Sequence, residues 1–107
     1  MRLVEILEEG NRIIKFLDRE LNIIVHCCYS LIEAGERMPA GYKSILTTIE
    51  KTNKGPAKLE LSIKEIMTLI KILQNYMKKI ISDKNVSSIW GQVSELKKEL
   101  IKAYYNA

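Results

Sequence analysis

Residues 2–34 read RLVEILEEGNRIIKFLDRELNIIVHCCYSLIEA, and the fold turns on how this stretch is taken. Apolar or small residues recur at Leu3, Leu7, Gly10, Ile14, Leu17, Leu21, Ile24, Cys28 and Leu31, a 4-3-4-3 alternation. That spacing predicts an amphipathic helix from about residue 2 to residue 34 with a coiled-coil-like seam. At about 1.5 Å per residue such a helix extends about 50 Å, more than a compact domain of this size spans, so the seam is expected to pair or to break. Gly10 is the natural break, costing about 1 kcal/mol relative to alanine in a helix interior.

Beyond this stretch, Gly35, Pro39 and Gly41 stop the first helix. Tyr42, Ile45, Leu46 and Ile49 share one face of a second, expected at about 41–52 and ended by Asn53-Lys54-Gly55-Pro56. Leu59 and Leu61 alternate with Glu60, but no other segment reads as a strand to pair with them, so 53–61 is expected to be a lysine-bearing loop. Ser62-Ile63-Lys64-Glu65 is a capping box opening a third helix to about residue 82. Asp83 to Asn85 turns the chain, and Ser87 or Ser88 caps a last helix over 87–105. The expected fold class is therefore all-α, a small bundle of about four helices with one long N-terminal helix, forming a single domain over residues 1–107.

Composition sets outer bounds. The chain has 107 residues, 47% hydrophobic and 28% charged, as an ordinary globular domain has. No secretory signal is expected from the first residues, and the longest charge-free run, Leu21 to Ile32, is too short to cross a bilayer. No membrane partner is expected. Cys27 and Cys28 are adjacent inside an apolar run, cannot form an ordinary disulfide on a helix, and read as reduced core residues of a cytoplasmic protein. The net charge of +4 is unevenly spread: residues 1–34 carry −2, while residues 51–84 carry +5.

That positive third holds the main candidate binding surface. Lys64, Lys71 and Lys78 recur every seven residues, with Thr68 and Asn75 between them, and Lys79 and Lys84 extend the ridge. Lysines in such a row neutralise phosphates along a nucleic-acid backbone without reading bases. The bland alternative is a solvated face in a lysine-rich chain. A helix-turn-helix over 62–107 has Gln92 as its lone base-edge reader and is disfavoured. Leu3, Leu7, Gly10 and Ile14 on the seam, with Trp90 at the edge of the last helix's inward stripe, form the candidate partner interface. His26, Cys27 and Cys28 point about 100° apart in succession and cannot converge on one ion, so neither a metal nor a cofactor is expected.

Arg19 and His26 project at nearly the same azimuth, two helical turns apart. The run Arg19-Glu20-Leu21-Asn22-Ile23-Ile24-Val25-His26 resembles the R-x(4–6)-H motif of HEPN-domain ribonucleases, small helical bundles that cut RNA at a dimer interface. The resemblance implies a dimer in which paired histidines serve in general acid-base cleavage while arginine holds phosphate. It covers these residues alone, and it departs from the family in lying on the first helix and in having Glu20 after the arginine. The plainer reading makes His26 a hydrogen-bonded core or interface residue.

Three functional expectations result. The first is a non-enzymatic helical interaction module, either a homodimer along the first helix or an accessory subunit of a larger assembly. The alternative is nucleic-acid-backbone binding through the lysine ridge, within a DNA- or RNA-processing complex. The second alternative is a HEPN-like ribonuclease with Arg19 and His26 catalytic.

Overall fold

The computed structural model describes residues 1–52, 56–81 and 87–105, with only the backbone of Ser87 and Ser88. The chain is not all-α. It opens with two strands, β1 (Arg2–Ile6) and β2 (Arg12–Phe16), followed by α1 (Asp18–Glu33), α2 (Tyr42–Lys51), β3 (Ala57–Leu61), α3 (Ile63–Ile80) and α4 (Ser87–Tyr105). The strands form one antiparallel sheet in the order β1-β2-β3.

The long N-terminal helix is thus replaced by a hairpin and a shorter helix. Gly10 adopts a left-handed backbone, φ +95°, and its amide donates to the Leu7 carbonyl at 2.9 Å, while the Leu7 amide donates to the Asn11 carbonyl at 2.8 Å. Glycine holds this conformation without the Cβ strain other residues meet, so the supposed weak point of a helix is the turn of a hairpin. Val4, Ile6, Ile13, Ile14 and Phe16 are β-branched or aromatic residues suited to a pleated surface. Along β2 burial alternates, with Arg12, Ile14 and Phe16 inward and Ile13 and Lys15 half-buried. Leu3 faces Ile14, and Ile14 faces Leu59, so the predicted seam residues meet across strands and not along a helix. The segment 57–61, expected to be a loop for want of a partner, pairs with β2 over its whole length.

Only the second half of the heptad run is helical. Leu21, Ile24, Cys28 and Leu31 are buried along α1, and Glu20 accepts the Leu17 amide at 2.8 Å to close its first turn. At its other end Glu36 donates to Leu31 and Gly35 to Ile32, both at 3.0 Å, a Schellman arrangement made possible by φ +73° at Gly35. The Ser62 box opens α3: Ser62 Oγ accepts the Glu65 amide at 3.1 Å, and Glu65 Oε1 accepts the Ser62 amide at 2.9 Å.

Helix α3 is the centre of the molecule, packing against α1, α2, α4 and β3 and burying Ile66, Leu69, Ile72, Leu73 and Tyr76. The sheet closes against α4 through Arg12. This buried guanidinium, 5% exposed, donates from Nε to the Ala103 carbonyl at 3.0 Å, from Nη2 to the Tyr104 carbonyl at 3.5 Å, and from Nη1 to the Gly10 carbonyl. One cation therefore caps the end of α4 and ties it to the hairpin turn. Among the described residues no helix is long and apolar enough to cross a membrane.

Candidate nucleic-acid interface

Because α3 is covered on most sides, what it leaves exposed is narrow. Past its first residue, the exposed positions of α3 are Lys64, Lys71, Lys78 and Lys79. Steps of seven residues place the first three about 10 Å apart along the axis, a strip about 21 Å long. Thr68 departs from the expected ridge: it is 8% exposed, with its hydroxyl donating to the Ala40 and Lys64 carbonyls. Lys79 leans the other way, its Nζ donating to Ser30 Oγ of α1 at 3.3 Å. Lys84 and Lys54 lie outside the described residues.

The other wall of the strip is α4, which runs antiparallel to α3. Two shallow depressions lie along the seam between them. One, about 320 Å³, is lined by Lys64, Lys71 and Met67 of α3 with Tyr104 of α4, and by Pro39 and Ala40. The other, about 250 Å³, is lined by Gln74, Met77, Lys78 and Ile81 with Trp90 and Lys97. Among the described residues no carboxylate lines either one. Lys64, Lys71, Lys78 and Lys97 form no ion pair among the described residues. The strip is thus a cationic seam with an aromatic ring at each end. Sequence reasoning placed Trp90 on a partner interface and missed its neighbours, although Trp90, Lys97 and Tyr104 share a seven-residue spacing that puts them on one face of α4.

A second cationic row lies on the outer face of the sheet. Arg2 stands opposite Lys15, and Lys15 opposite Lys58. Like charges directly across strands oppose pairing. In the next row Glu5 and Glu60 flank Ile13, and Asn11 Nδ2 donates to Glu60 Oε2 at 2.9 Å, so this face is of mixed charge.

The remaining candidates are dispersed. Leu7 and Gly10 form the hairpin turn, Leu3 is half-buried, and Ile14 is 0% exposed in the core, so these four make no continuous surface stripe. Arg19 and His26 are both exposed on α1. Arg19 lines an open groove of about 570 Å³ against Gln92, Glu95 and Glu99 of α4. His26 instead turns to α3, where its Nε2 lies 3.1 Å from the Tyr76 hydroxyl and its ring meets the Tyr76 ring edge-on at 5.6 Å. Burial pushes the Cys27 thiol up to about 12, with Cys28 beside it as the second cause, and burial followed by Glu50 raises Cys28 as well. Both are protonated at neutral pH and poor nucleophiles. Among the described residues no group of three or more His, Cys, Asp or Glu side chains is placed to hold a metal ion.

Comparison of the chain with protein-family models, with curated proteins and with solved structures found no match.

Proposed function

We propose that this protein binds the phosphate backbone of a nucleic acid, without base readout, along the α3–α4 seam. The observation that carries the reading is the set of four ammonium groups, Lys64, Lys71, Lys78 and Lys97, exposed or half-exposed along one seam that no carboxylate of the described residues lines. Unpaired lysines beside one another repel; a polyanion relieves that repulsion and releases its own counterions on binding. Lysine supplies compact point charges, whereas base reading favours the planar fork of arginine. In this role the chain acts as an accessory binding subunit of a nucleic-acid-processing assembly. Its two free, buried cysteines fit the reducing cytoplasm.

Fluorescence anisotropy with a labelled oligonucleotide tests this. Four backbone contacts at about −0.7 each in log–log slope lower the affinity for a single strand roughly 50-fold between about 50 and 200 mM salt. Lys71→Glu with Lys78→Glu should abolish most of the binding while leaving the circular dichroism spectrum unchanged. Binding that ignores salt, or that survives this double reversal, refutes the assignment.

A further inference from the structure

The seam holds more than charge, and its apolar part bears on which nucleic acid it takes. Trp90, the chain's one tryptophan, sits in the first turns of α4 and is 36% exposed. It lines the depression together with Met77 and Ile81, the latter 73% exposed, and with Lys78 and Lys97. The indole N–H has no hydrogen-bond acceptor among the described residues. At the other end of the seam Tyr104 lies beside Lys64 and Lys71 and stacks edge-on with the exposed Tyr105, centroids 4.9 Å apart.

A duplex presents phosphates to such a seam but keeps its base faces stacked inside. Met77, Ile81 and Trp90 would then gain nothing from contact. A single strand offers both parts at once: phosphates for the lysines and a free aromatic face for an exposed ring, the combination by which sequence-tolerant single-strand binders work. An acidic peptide would satisfy the lysines but offers no planar face to match the indole. Resting on the nucleic-acid reading above, we infer that the ligand is single-stranded, its backbone lying along Lys64, Lys71, Lys78 and Lys97 and a base stacking on Trp90.

Because Trp90 is the only tryptophan, its intrinsic fluorescence reports directly on stacking. The full chain is titrated with an oligothymidylate of about 16 nucleotides, with a duplex of equal length, with inorganic polyphosphate and with poly-glutamate. The expected result is fluorescence quenching by the single strand and a preference of roughly tenfold over the duplex. Polyphosphate should bind without quenching, and poly-glutamate should compete weakly. With a labelled oligonucleotide, Trp90→Leu should lose the preference but keep salt-dependent binding, and Trp90→Phe, which retains an aromatic face, should restore much of it. Equal binding of single strand and duplex, a bound single strand that leaves Trp90 fluorescence unchanged, or an unaltered preference in Trp90→Leu would overturn the single-strand inference alone. Failure of every nucleic acid to bind would remove the underlying reading, and poly-glutamate binding as tightly with quenching would reassign the seam to a protein partner.

Discussion

At Arg12 a charge is buried where most charges are not, and its partners explain why. Its donors reach carbonyls at the end of α4 and at the hairpin turn, acceptors that the helix's own amides among the described residues do not supply with a donor. Arg12→Met keeps much of the volume but strands those carbonyls, and should cost about 2–3 kcal/mol in urea unfolding. Loss of less than about 0.5 kcal/mol would show the contacts to be incidental. Ser62 is a simpler case: Ser62→Ala removes one half of the box at the start of α3 and should cost about 1 kcal/mol by the same assay. Cys27 makes stability depend on alkaline pH. The unfolded chain releases this thiol proton near 9.0, while the folded chain holds it to about 12, so the native state binds the extra proton between those values. Stability is full below pH 9.0 and falls as pH rises toward 12, an effect that the raised Cys28 and Tyr76 reinforce. Urea midpoints should therefore drop from about pH 8 to about pH 10.5, less so in Cys27→Ala; a midpoint that rises contradicts the assignment.

At the scale of elements, one coincidence of spacing hid the sheet. Leu3 and Ile14 are eleven residues apart, which on a helix is close to three whole turns and so the same face. In a hairpin turning at Leu7 to Gly10, the same two residues stand directly opposite. Hydrophobic periodicity does not separate these cases; the β-branched run at Ile13 and Ile14, and Gly10-Asn11 as a turn pair, do. Once β2 is missed, β3 has nothing to pair with, and Leu59-Glu60-Leu61 is read as a loop for that reason alone. From Leu17 onward the apolar spacing and the helix coincide, because Gly35, Gly41 and the Ser62 box mark ends that local chemistry enforces. The two readings of the N-terminal segment separate by mutation. On a coiled-coil seam Ile14→Ala weakens association; in the centre of this sheet it opens a cavity and should destabilise the monomer by about 2–4 kcal/mol, independent of protein concentration. Val4→Asp, at the bulged and exposed part of β1, should shift stability by no more than about 0.5 kcal/mol.

For the whole molecule, half of the candidate site was legible before the fold was known. The lysine spacing on α3 is a one-dimensional pattern, and it survives because the segment is one continuous helix whose other faces are taken by α1, α2, α4 and β3. Lys97, Trp90 and Tyr104 belong to the same surface because α4 returns antiparallel beside α3; the short link at 83–85 in the sequence implies that return but does not say which faces of the two helices meet. The row of Arg2, Lys15 and Lys58 was wholly hidden, since it exists only in the register of three strands. The described residues therefore form two cationic faces, one with aromatic rings and no lining carboxylate among them, the other interrupted by Glu5 and Glu60. Amide chemical-shift mapping with unlabelled oligothymidylate distinguishes them in one titration. Perturbations should centre on Lys64, Lys71 and Lys78 of α3 and on Trp90, Lys97 and Tyr104 of α4, including the Trp90 indole signal. Perturbations centred on Arg2, Lys15 and Lys58 instead, or none at low salt, would contradict nucleic-acid binding at the α3–α4 seam.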